Sequence, residues 1–94
     1  MHFMIAAFLK PGAEEQLIKY HDEFNEHLGA GAEDVRIAGA MRGPDGRRVG
    51  YLAIVSGEDI AIAHSWLQES PFYKAGLYDR VDVFEYAIEV GRID

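Results

Sequence analysis

The sequence predicts an α+β fold in the ferredoxin-like order β-α-β-β-α-β, an antiparallel sheet with two helices on one face. Three observations carry this. The apolar residues switch twice between the short period of strands and the 3.6-residue period of a helix. A Gly43-Pro44-Asp45-Gly46 segment, a strong turn signal, joins two strand-like runs. A second turn, Ser70 to Gly76, leads into a closing alternation of Val81, Val83 and Glu85 with Asp82, Phe84 and Tyr86.

Each element follows in order. Phe3 to Leu9 is a short apolar run with no polar face, bounded by Lys10-Pro11-Gly12, and reads as a strand covered on both sides. Ala13 to Leu28 reads as one helix. Leu17, Tyr20 or His21, Phe24 and Leu28 share a face, and Glu14, Glu15, Lys19, Asp22, Glu23 and Glu26 lie mostly elsewhere. Gly29-Ala30-Gly31 ends it. Asp34 to Arg42 is the second strand, with Val35, Ile37 and Gly39 on one side, and Arg48 to Ser56 is the third. Ser56-Gly57-Glu58-Asp59 resembles a capping box before a second helix, Ile60 to Glu69. Ser70 suits a cap, Pro71 the first helical position and Gly76 the left-handed residue that ends a short turn. The last strand is expected from about Arg80 to Val90, with Phe84, Tyr86 and Ile88 on one side and Val81, Val83, Glu85 and Ala87 on the other. Apolar groups on both sides predict that the face away from the helices meets a second copy, giving a homodimer.

The 94 residues make one small domain, 1–94. A net charge of −7 argues against nucleic-acid and anionic-membrane partners, which require clustered Lys and Arg. No stretch approaches the roughly 20 apolar residues of a membrane span. With no cysteine there is no disulfide, thiol nucleophile or thiolate metal site, which fits a cytoplasmic location. No phosphate loop and no Gly-x-Ser-x-Gly elbow is present. Glu23 and His27 have ligand-like spacing, but on an acidic helix face that reads as solvated, so no metal is expected. Trp66 and Tyr73 read as core or interface anchors.

Four histidines remain. The helical repeat puts His21 on or beside the stripe of Leu17, Phe24 and Leu28, where a partly desolvated imidazole acts as an acid or base near neutral pH or simply packs against the sheet. His27 falls on another face from His21. His64, between Ile60 and Leu67, is expected to face the sheet beside Ala63. His2 only opens the first strand.

The run Ser70-Pro71-Phe72-Tyr73-Lys74-Ala75-Gly76-Leu77, followed by Val81-Asp82-Val83, resembles the C-terminal signature of the YCII-related (YciI-like) family. That signature reads Asp-Pro-Phe/Tyr-x-x-Ala-Gly-Leu/Val-x-x-x-Val-x-Val, and Ser70 stands where the family has aspartate. His21, Phe24 and Ala38-Gly39 also match the family's pattern, while Ile18 stands where it often has an arginine. The resemblance implies a dimeric α+β barrel and a small enzyme without a cofactor. It also implies His21 as the acid or base, with position 70 as its partner. One chemistry associated with the family is elimination of chloride from a chlorinated hydroxyhydroquinone; isomerisation is related by fold analogy. The expected small-molecule site lies between the first helix, the strand around Gly39 and the Ser70 turn. There His21 and Ser70 are catalytic. Phe72, Tyr73 and Tyr78 contact the substrate, and Arg36 or Arg42 holds an anionic group. The alternative is a non-catalytic dimeric binding or assembly module, with Ser70 marking a lost His-Asp dyad.

Overall fold

A computed structural model describes residues 1–30 and 34–93. Four strands, β1 (His2–Leu9), β2 (Val35–Arg42), β3 (Arg48–Ser56) and β4 (Tyr78–Glu85), form one antiparallel sheet in the order β2-β3-β1-β4. Three helices accompany it: α1 (His21–Ala30), α2 (Ala61–Gln68) and the short α3 (Pro71–Lys74). This is the ferredoxin-like order that the alternating periods predict. Among the described residues no helix is long and apolar enough to cross a membrane.

The register explains why β1 is apolar on both sides. Phe3 faces Val55, and Ile5 faces both Ala53 and Val83, so these side chains share the face where Ala63 and Leu67 of α2 pack. Because side chains alternate along a strand, Met4, Ala6 and Phe8 point to the other face, with Leu52, Ile54 and Phe84 beside them. A second core, built of Ala13, Leu17, Phe24, Phe72 and Leu77, joins α1 to α3. The turn at 43–46 closes with the Gly46 N–H donating to the Gly43 carbonyl at 2.9 Å. Gly46 and Gly76 take positive φ, 80° and 72°, as their turns require.

Five expectations change. The first helix begins as two 3-10 turns, Ala13–Gln16 and Ile18–Tyr20, and becomes α-helical only at His21. Glu14 is drawn sideways to the β2–β3 hairpin, its carboxylate 3.3 Å from the Arg47 Nε and accepting from the Arg48 backbone N–H at 3.3 Å. Gly29 and Ala30 still belong to α1, and Gly31 lies outside the described residues. In β2 the register slips between Val35 and Ile37, which puts these two side chains on opposite faces of the sheet. The last strand stops at Glu85 because β1 has run out: the Tyr86 N–H donates to the His2 carbonyl at 2.8 Å, and no partner backbone follows. On α2, Asp59 caps the Ala61 N–H at 2.8 Å, and His64 faces solvent while Ala63 is buried.

Gly50 is buried where β3 passes between β1 and β2. A Cβ there would run into the Ala7 carbonyl oxygen and lie 2.9 Å from the Met41 methyl. Backbone cannot retreat as a flexible side chain can, so Gly50→Ala is expected to cost about 1–3 kcal/mol. A lower urea midpoint with an unchanged denaturant slope would check this.

Candidate functional site

Among the described residues, three side-chain polar atoms are buried without a hydrogen-bond partner, and all three lie on the helix side of the sheet: His27 Nε2, Trp66 Nε1 and Ser70 Oγ. Such atoms cost free energy unless something satisfies them, so they mark a place to look. His27 comes from the inward face of α1, three residues after Phe24 and one before Leu28. Its ring lies 4.7 Å from the Trp66 ring at a tilt of 32°, and 6.0 Å from Phe24. A cavity of about 210 Å³ opens between α1, α2 and the sheet beside this pair. His27, Ala30, Ile62 and Trp66 line it, with Asp34 and Glu69 as its carboxylates.

Burial lowers the His27 pKa below its usual 6.5; the Trp66 carbonyl and the Glu69 carboxylate oppose this, and Lys74 adds to it. The imidazole is therefore neutral at pH 7. One ring nitrogen then carries a proton and the other a free pair, the state a base requires.

Behind this pair runs a file of aromatic and hydroxyl groups. Phe24 stacks on Phe72 with centroids 4.1 Å apart and meets the Tyr51 ring edge-on at 4.8 Å. Phe72 meets Tyr78 edge-on at 6.4 Å. The Arg48 guanidinium lies 5.6 Å from the Tyr51 ring centroid, within cation–π range. Ser70 is 1% exposed. It occupies the N-cap position of α3 ahead of Pro71, but its hydroxyl makes no cap bond, so capping is not what the side chain does. The Tyr78 hydroxyl is its polar neighbour, in a geometry that does not complete a hydrogen bond for Ser70 Oγ. Burial, offset slightly by that contact, pushes the Tyr78 pKa up to about 12. Tyr78 thus stays an un-ionised donor throughout the neutral range.

The residues singled out in the sequence are not gathered in one place. His21, first residue of α1, is exposed, with the Asn25 side-chain amide 3.2 Å from its Nε2. Tyr20 takes the inward position instead. Gly39 lies on β2 with Ile37 and Met41, beside a shallow apolar hollow at the sheet edge. β2 and β4 are opposite edges of the sheet, with β3 and β1 between them, so Gly39 cannot meet the Ser70 turn. Arg36 donates from Nε to Ser56 Oγ at 2.8 Å, and Arg42 is exposed at the end of β2; neither lines the cavity. Tyr73 and Tyr78 share a separate hollow with Asp79 and Arg80, and Phe72 is buried in the core. Phe72, Ser70 and Tyr78 do come together. His27, Trp66 and Tyr51 were not foreseen as site residues. The signal for His27 was its i, i+3, i+4 relation to Phe24 and Leu28, hidden by the acidic neighbours Glu23 and Glu26.

The YCII-related domain matches residues 1–87 of the 94. No curated protein matches the chain. Among solved structures, 5-chloro-2-hydroxyhydroquinone dehydrochlorinase (TftG) from Burkholderia phenoliruptrix, in complex with 2,5-dihydroxybenzoquinone, superimposes with a TM-score of 0.83 at 24% identity. The match covers 93% of this chain and 94% of that one. A putative antibiotic biosynthesis monooxygenase from Bacteriodes thetaiotaomicron gives 0.59 at 16% identity, over 100% of this chain and 93% of the other. At these identities the likeness establishes the shared fold.

Proposed function

This chain belongs to the YCII-related domain family, and we propose that it is a small enzyme, working without a cofactor, that transfers a proton on a small aromatic or phenolic substrate. One observation carries the reading. The neutral imidazole of His27 lies beside the indole of Trp66, each with an unpartnered nitrogen, on a cavity the size of one ring. His27 is the base. The Trp66 N–H is a donor for the oxygen on which charge develops. In an elimination, the base removes a proton as an anionic leaving group departs, and the electron pair of the broken bond to hydrogen closes the new double bond. Such a step consumes no oxidant or reductant. The similarity to a dehydrochlorinase supports this class of reaction.

The test is turnover of chlorinated hydroxyhydroquinones by the purified protein, compared with His27→Gln and His21→Gln. The family resemblance points to His21 as the base, while burial beside the cavity supports His27, so the pair of variants separates them. The second reading, a binding module without turnover, is favoured by Ser70, which offers no carboxylate to an imidazole. Stoichiometric binding with no product would support it.

The same proposal includes a cytoplasmic homodimer. Phe84 and Ile37, 55% and 53% exposed, stand on the sheet face away from the helices together with Phe8, Met41 and Leu52. A second copy brings an identical apolar face. Phe84→Asp is expected to shift sedimentation from dimer to monomer at micromolar concentration.

A further inference from the structure

Resting on the reading of His27 and Trp66 as the site, we infer that the cavity between α1 and α2 accepts an un-ionised, hydroxyl-bearing single ring and rejects carboxylated or phosphorylated ones. Size comes first. An apolar cavity of roughly 150 Å³ holds benzene, and this one measures about 210 Å³. One ring with small substituents fits; two rings do not. The walls suit a flat ring, because His27, Trp66 and Ile62 all line the cavity.

Polar matching comes second. Trp66 Nε1 donates only. Neutral imidazole accepts at the nitrogen that lacks a proton, and with the proton on Nδ1 that nitrogen is Nε2. A single hydroxyl satisfies both, accepting from the indole and donating to the imidazole. A carboxylate or phosphate can accept from the indole but has no proton for the imidazole. Both nitrogens are shut from solvent in the free chain, so the hydroxyl reaches them through a small side-chain shift.

Charge comes third. Asp34 and Glu69 are the acidic side chains lining the cavity, and among the described residues no Lys or Arg lines it. Lys74, a cation felt by His27, belongs to α3 and is outside that lining. Arg36 and Arg42, which the sequence suggests as anion holders, are elsewhere on β2, Arg36 being engaged with Ser56. An anionic ring therefore meets two acidic side chains in the lining and no counter-charge within it, Lys74 standing outside, which is how a site discriminates by repulsion. The chain's net charge of −7 acts in the same direction at longer range.

The experiment uses the single tryptophan of the chain. Its indole N–H gives one resonance in ¹⁵N-labelled protein. At pH 7.5, phenols with a pKa of about 10 are un-ionised and benzoic acids with a pKa of about 4 are ionised. Hydroquinone, catechol, 4-hydroxybenzoate and phenyl phosphate are titrated separately. Hydroquinone and catechol are expected to move the Trp66 indole resonance. 4-Hydroxybenzoate is expected to bind at least about tenfold more weakly, and Asp34→Asn with Glu69→Gln to narrow that gap. Both replaced residues are exposed, so the variant keeps its fold. If 4-hydroxybenzoate or phenyl phosphate binds as tightly as hydroquinone, the charge selection is wrong while the site stands. If no phenol moves the Trp66 resonance at millimolar concentration, the site reading is wrong and the selection falls with it.

Discussion

His27→Gln is expected to lower kcat/KM on any turned-over phenol by roughly 10²–10⁴-fold, the usual contribution of a positioned general base. Glutamine keeps a polar side chain of similar length, so the folded state persists and circular dichroism should be unchanged. His21→Gln is expected to alter the rate less than severalfold, because that ring is exposed and away from the cavity. The pH profile adds a second readout. Burial lowers the His27 pKa below 6.5, so activity should hold from pH 7 down past 6.5 before the base is protonated and the rate falls. Stability has a matching sign. Well above pH 6.5 the imidazole is neutral in both folded and unfolded chains, and its favourable contribution is fully present. As the pH falls below 6.5 the unfolded chain takes up the proton first, and stability is lost until the folded pKa is passed. His27→Gln should remove that part of the acid dependence.

Phe24→Ala is expected to be the most destabilising single truncation near the site, costing about 3–5 kcal/mol. Phe24 is 3% exposed. It stacks on Phe72, meets the edge of Tyr51 and lies beside His27. Its loss leaves a cavity between α1, α3 and the sheet that these rings cannot close without leaving their mutual contacts. Urea denaturation should show the loss. Ile18→Ala, at a side chain 84% exposed on the preceding 3-10 turn, should stay within about 0.5 kcal/mol.

The strands, the Gly43–Gly46 hairpin, α2 and the Pro71–Gly76 turn were legible in the sequence because each is specified locally, by alternation or by residues with restricted backbone angles. The C-terminal run also carried the family. The site was less legible, for a geometric reason. The segment Ala13–Tyr20 winds as 3-10 turns, at about 3.0 residues per turn where an α-helix has 3.6. A phase carried forward from Leu17 slips within one turn, which is enough to exchange Tyr20 and His21 between the inner and outer faces. Read from Phe24 instead, within the true α-helix, the same arithmetic places His27 and Leu28 inward. Likewise, one extra residue in β2 separates Val35 from Ile37, and a slip of that kind has no mark in the alternation itself. Tyr51 and Trp66 join the site through sheet order and helix packing, contacts that no local pattern records.

A ¹H–¹³C NMR titration of the four histidine rings, with and without saturating hydroquinone, tests the role of His27 at the cavity. His27 is expected to titrate below 6.5 with a midpoint that hydroquinone moves, while hydroquinone leaves His21 unaffected. A His27 ring that titrates at or above 6.5 and ignores hydroquinone, with His21 responding in its place, would contradict that role.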